Sequence, residues 1–187
     1  MVWKRNSLPA LLLPLLMLLG NCGIYSFRGS LPPHINSITI ADIINQTSEF
    51  VLTDLVAELV NDLFVGENVL KVTDPASATS DLKITITRVT DTPSTFTIGE
   101  RVQEWQLRVN TKVVWYDLAR NKPLFERSFT SLGYYSPGGD IGSDQIDNDG
   151  DGAIDEDDEF GDPREAALRR VIIKISEDIL NAIVSTW

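Results

Sequence analysis

Hydrophobic and polar positions change period twice along this chain, and each change marks an element. Leu52, Leu55, Val56, Leu59, Val60, Leu63 and Phe64 recur at three- and four-residue steps, which places them on one stripe of an α-helix. Thr47 or Ser48 is its expected N-cap and Gly66 its expected stop. Before it, residues 37–40 read as a short strand through Ile38 and Ile40. After it the period becomes two. Leu82, Ile84 and Ile86 alternate with Lys83, Thr85 and Thr87, and Trp105, Leu107, Val109, Thr111, Val113 and Trp115 alternate with mostly polar neighbours, the pattern of half-buried strands. Turn residues at 117–123 lead into a further strand over 124–135, giving a long antiparallel hairpin.

The last element is again helical. Asp162 is placed to cap it, Pro163 suits its first turn, and Glu165 stands three residues after the cap as in a capping box. Leu168, Val171, Ile172, Ile175, Ile179 and Ile183 form its apolar stripe, and Arg169, Arg170 and Lys174 lie mostly off it. Strand, helix, strands, helix is most simply satisfied by an α+β domain, two helices packed on one face of a mainly antiparallel sheet of about four strands. The first helix's stripe is read as core; a partner-binding groove is the alternative.

The N-terminal segment changes the cellular address. Lys4 and Arg5 precede an apolar run over residues 8–19 that Pro9 and Pro14 interrupt, followed by Gly20, Asn21 and Cys22. A membrane span needs roughly 20 apolar residues, so the run fits the core of a signal peptide instead. Residues 1–21 are then a lipoprotein signal, residues 22–35 a lipidated lead-in, and residues 36–187 a single domain. Cys22 stands where thioether-linked diacylglycerol and a further acyl chain such as palmitate are attached; an incidental cysteine behind an ordinary signal is the other reading. Gly23 takes the place of the aspartate that retains lipoproteins at the inner membrane, which favours the periplasmic face of the outer membrane.

Charge and composition narrow the chemistry. The chain of 187 residues has a net charge of −11, from 27 acidic and 16 basic residues. Nine Asp and two Glu fall between positions 140 and 162, where no Lys or Arg occurs, so the rest is balanced. A nucleic-acid binder that neutralises phosphates is disfavoured. One cysteine excludes an internal disulfide or a Cys-rich zinc site, and one histidine, His34, excludes a multi-histidine centre. His34 is read as surface or satisfied polar packing. No phosphate-cradling loop or nucleophile motif is present, and the clustered acids do not form a glycosidase pair, which needs two carboxylates in distinct environments across a pocket. The expectation is a protein that is not an enzyme.

The acidic block has a chemistry of its own. Asp147, Asp149, Asp151, Asp155 and Asp158 occupy positions 1, 3, 5, 9 and 12 of an EF-hand-like loop, with Gly152 at 6, the carbonyl of Ala153 at 7 and Ile154 at 8. Asp158 replaces the usual bidentate glutamate, as in dockerin and thrombospondin-type repeats, which the loop resembles locally. The expectation is a structural calcium ion held within an insertion at 136–162; a solvated acidic tether is the alternative. Elsewhere, Arg108 and Lys112 on one hairpin arm, Arg127 on the next, and Arg120 and Lys122 at the turn are assigned to one exposed strand face. Such a face is either simply solvated or meets an anionic ligand such as a lipid phosphate or sugar carboxylate.

Cys22-Gly23-Ile24-Tyr25-Ser26-Phe27-Arg28-Gly29, then Leu31-Pro32-Pro33-His34-Ile35 and the Ser37-Ile38-Thr39-Ile40 strand, resemble the start of LptE-type lipopolysaccharide-assembly lipoproteins. The helix, long hairpin and Trp-ended last helix follow in the same order, so the resemblance covers residues 22–135 and 163–187. Ile24 within the usual Cys-Gly-Tyr run, Asn21 before the cysteine, and the acidic block depart from the pattern. The resemblance implies a two-helix, four-stranded domain inside the barrel of an LptD-type translocon, assisting delivery of lipopolysaccharide to the outer leaflet without catalysis. A lipid-anchored, calcium-dependent adhesion or binding module is the alternative.

Overall fold

The computed structural model describes residues 31–40, 42–137 and 162–185. Cys22 and the candidate calcium ligands Asp147, Asp149, Asp151, Ala153, Asp155 and Asp158 lie outside these residues. In chain order the elements are β1 (Ser37–Thr39), β2 (Ile43–Asn45), α1 (Val51–Glu67), β3 (Lys71–Val72), β4 (Ser80–Phe96), β5 (Val102–Asp117), β6 (Lys122–Tyr135) and α2 (Pro163–Ser185).

Two helices and one sheet confirm the α+β class, but the sheet is mixed and has six strands, where about four mainly antiparallel strands were expected. β5 and β6 form the expected antiparallel hairpin and β4 also pairs antiparallel with β5, whereas β1 and β2 run parallel to β4, and β3 runs parallel to β1. Parallel neighbours need a crossover connection, and α1 lies in the one that returns the chain to pair β3 with β1. The extra strands have two or three residues each, too few to show an alternation. β1 and β2 together make one broken strand beside β4. Thr39 pairs with Asp81 at an offset of 42, and Ile43 pairs with Ile84 at an offset of 41, so one extra residue is accommodated between them as a bulge.

α1 begins later than its sequence suggested. Thr47 and Ser48 precede the helix, whose N-cap position is Phe50, with no side-chain cap. The polar residues before it are engaged with one another instead. Asn45 Oδ1 accepts from the Thr47 amide at 2.9 Å, its Nδ2 donates to the Glu49 carbonyl at 2.7 Å, and Thr47 Oγ1 accepts the Glu49 amide at 3.2 Å. This local turn competes with capping. Gly66 lies within the helix; Asn68, left-handed at φ 49°, ends it and donates its amide to the Phe64 carbonyl.

The end of the chain follows its signals. Asp162 Oδ1 accepts the Arg164 amide at 2.9 Å, the geometry of an N-cap, and Glu165 lies in the first turn. All six apolar residues of the α2 stripe are buried, as are Leu52, Val56, Val60 and Phe64 of α1. They cover Leu82, Ile84, Ile86, Leu107, Val109, Val113 and Trp115 from the sheet, forming a single core. Gly133 lets α2 lie directly on β6: a Cβ there would sit 2.7 Å from Val171 Cγ2 and 3.2 Å from the Ala167 carbonyl oxygen.

Candidate functional site

Both helices lie on one face of the sheet, and the other face of β4, β5 and β6 is bare. Register decides what it displays. Arg88 opposes Asn110 and Thr90 opposes Arg108, so the two arginines are diagonal neighbours. Across β6, Lys112 opposes Ser128 and Arg108 opposes Leu132, while Arg127 opposes buried Val113. Arg127 therefore does not share the face of Arg108 and Lys112, correcting the sequence reading. It emerges from the covered face at the sheet edge, with its guanidinium 5.4 Å from the Phe125 ring centre.

The cations of the bare face differ in their engagement. Lys112 Nζ lies 2.6 Å from Glu126 Oε1, and Lys83 Nζ lies 3.2 Å from Asp42 and 3.7 Å from Asp81. Burial raises the Asp81 carboxyl above its usual range against the lowering effect of Lys83, and the hydrogen bond to Asp42 raises Lys83. Arg108 donates to Gln106 Oε1 at 3.3 Å, and Gln106 donates to the Tyr134 hydroxyl at 2.8 Å. Among the described residues neither Arg88 nor Arg108 has a carboxylate within ion-pair distance. Thr85, Thr90, Asn110, Ser128 and Thr130 surround them, with the Thr130 hydroxyl donating to Asn110 Oδ1 at 3.1 Å. Two planar donor forks in a field of hydroxyls and amides suit a phosphate or carboxylate.

Two polar clusters hold the frame, and neither was legible in the sequence. Arg164 of α2 donates to Asp91 of β4 at 2.9 Å and to Glu49 before α1 at 2.8 Å, and the Tyr135 hydroxyl donates to Asp91 at 2.9 Å. The hydrogen bond to Asp91 raises the Arg164 guanidinium; burial and then Asp91 push the Tyr135 phenol up to about 12. The partners are 73 and 115 residues apart in the chain, so no local spacing announces them. At the opposite end His34 Nε2 lies 2.7 Å from Asp117 Oδ2, whose side chain is fully buried. This is the satisfied-packing alternative for the lone histidine. Burial acts to raise the Asp117 carboxyl, but the His34 hydrogen bond and the amides of Arg120 and Ala119 outweigh it, and the net shift is downward.

Among the described residues no group of three or more His, Cys, Asp or Glu side chains is arranged to hold a metal ion, and no described helix is long and apolar enough to cross a membrane. The fold and this site define an α+β domain of two helices with one bare, hydroxyl-rich sheet face. The chain belongs to the LptE lipopolysaccharide-assembly family, whose model matches residues 35–183. Among solved structures it is similar to the hypothetical protein CT253 from Chlamydia trachomatis, at 10% identity, TM-score 0.54, and coverage of 82% of this chain and 99% of that one. It is also similar to protein XCC0632 from Xanthomonas campestris, at 10% identity, TM-score 0.51, and coverage of 83% and 90%. Rare lipoprotein B from Shewanella oneidensis matches at 13% identity, TM-score 0.46, and coverage of 79% and 95%. None of the curated proteins matches the chain in sequence.

Proposed function

We propose that this chain is an outer-membrane lipoprotein, acylated at Cys22 and facing the periplasm. In this reading it works without catalysis inside an LptD-type barrel, assisting assembly of that translocon and delivery of lipopolysaccharide to the outer leaflet. The observation that carries the reading is the family match across residues 35–183. The bare sheet face adds a chemical reason, because Arg88 and Arg108 suit the phosphates of the glycolipid. Depleting the protein should stall lipopolysaccharide before the surface, and detergent extraction should recover a large barrel protein with it. Normal surface lipopolysaccharide after depletion would overturn the reading. Reversing the bare face with Arg88→Glu and Arg108→Glu should weaken complementation while leaving the melting temperature unchanged.

The calcium assignment to Asp147, Asp149, Asp151, Ala153, Asp155 and Asp158 belongs to the same proposal. A hard divalent ion takes oxygen ligands and offsets the repulsion among clustered carboxylates. Calorimetry should show calcium binding that Asp147→Ala with Asp151→Ala removes; equal heats for both proteins would remove the assignment.

A further inference from the structure

The two margins of the sheet are finished differently. On the side of β3 the margin is blunted along its length. β3 has two residues and β1 three. β2 accompanies β4 only as far as Ile86, whose carbonyl accepts the Gln46 amide at 2.9 Å, and the chain then leaves for α1. Beyond that point the open side of β4 carries Arg88, Asp91 and Pro93, with register shifts between Ile86 and Arg88, Pro93 and Thr95, and Thr95 and Phe96. Charges, a proline and bulges are the devices that keep a strand edge from recruiting another strand.

The other margin, from Ser128 onward, has none of them. Among the described residues β6 pairs with β5 alone, and no strand continues the sheet past it. From Ser128 to Tyr135 each residue keeps its own partner on β5, from Lys112 to Trp105, without a shift. This stretch, Ser-Phe-Thr-Ser-Leu-Gly-Tyr-Tyr, holds no charge and no proline and is rich in residues that suit a strand. The charges of β6 precede it, Glu126 held by Lys112 at 2.6 Å and Arg127 against the Phe125 ring. Over about 26 Å, every second residue therefore turns its amide and carbonyl away from β5. α2 seals the face beneath Gly133, whereas Leu132 and Tyr134 stand 42% and 46% exposed on the bare face. Backbone groups at the margin and two exposed side chains beside them make a place for an extended peptide.

We propose that residues 128–135 of β6 receive an extended, uncharged strand from the barrel protein that surrounds the domain. The proposal deepens the reading of this chain as a companion inside a translocon, and rests on it for the identity of the occupant. A lumen is lined by polypeptide, and the wall that encloses one such domain separates it from second copies. The wall strands of a closed barrel have no free edge to give, so the donor is a connecting segment that enters the lumen. Its backbone completes the outward bonds of β6, and its side chains on the bare face lie beside Leu132 and Tyr134. Strand addition fixes the orientation of the sheet within the barrel and leaves Arg88 and Arg108 uncovered, because the new strand lies in the plane of the sheet and not on its face.

The test uses the full chain, alone and extracted in detergent with its barrel from native membranes. Amide exchange over residues 128–135 should be fast for the outward half of the amides in the free chain and slow for all of them in the complex. Thr130→Pro and Ser131→Pro remove adjacent amides, one facing β5 and one facing outward. The first kind should lower the melting temperature; the second should leave it unchanged yet lower recovery of the barrel about tenfold. Thr130→Val, which keeps the amide, should recover the barrel like the parent. Unchanged exchange on complex formation overturns the proposal even where both prolines unfold the chain. So does full recovery by a proline variant of unchanged melting temperature, a loss with Thr130→Val as large as with proline, or a free chain that light scattering finds dimeric through this edge. A parent chain that recovers no barrel removes the translocon reading and this strand with it. A parent that recovers the barrel with residues 128–135 still exchanging fast removes the strand alone.

Discussion

Leu107 and Arg108 are adjacent in β5, yet they belong to different physical worlds. Leu107 is fully buried beneath the helices, and Arg108 is exposed on the bare face. The same strands thus build a sealed face and an open one. Because the side-chain period of a strand is two, one residue of register separates them. On the covered face volume and shape decide what is tolerated; on the bare face the backbone ladder persists whatever the side chain, and chemistry is free to serve a partner.

The largest effect should come from that pair. Leu107→Ala removes buried methyl groups from the core beneath the helices and should cost about 2–5 kcal/mol. Arg108→Ala should stay within about 0.5 kcal/mol, as for exposed positions whose only side-chain bond is to another surface side chain. Chemical denaturation midpoints measure both. Similar losses for the two variants would mean that the bare face is covered in solution and would break the contrast.

A smaller effect tests how tightly the covered face is closed. Gly133→Val must displace Val171 or the α2 backbone at Ala167, both within contact of a new Cβ, and overpacking of this kind costs about 1–3 kcal/mol. Leu132→Ala, on the bare side of the same strand and partly exposed, should cost less. A Gly133→Val protein with an unchanged midpoint would show that α2 does not rest on β6 this closely.

How much of this contrast the sequence announced depends on the distance over which each signal acts. The α2 stripe, the Asp162 cap and the alternation of β4 and β5 are local, and each element forms where its pattern places it. β2 and β3 are too short to carry a pattern. The parallel pairing of β3 with β1 follows from a strand, helix, strand order, since a helical crossover returns the chain in the same direction. Arg127 was misplaced because its face follows from cross-strand register, which the turn at residues 118–121 sets and no alternation within β6 reveals. The Thr47 cap failed because Asn45 and Glu49 engage that threonine first. The arginine clasp joins residues from three distant segments, so only the folded chain brings it together. Of the candidate site, the cations were visible as residue types, whereas their pairing with Glu126 and Asp42, or its absence, was not.

The smallest effect concerns Asp117, the one charged residue among the buried described residues, at the end of β5. Its folded pKa is depressed below the ordinary 3.8 by His34 and two backbone amides, which together outweigh its burial. A depressed carboxylate contributes stability that is present above its unfolded value and lost as pH falls through its folded one. Urea midpoints measured downward from neutral pH should therefore show an extra loss below about pH 3.8. Asp117→Asn keeps the shape but cannot titrate, so its acid limb should be shallower while its neutral stability is lower, because the His34 pairing is weakened. Parallel acid limbs for the two proteins would show that the covered face holds no working charge, and the difference between the faces would then rest on packing alone.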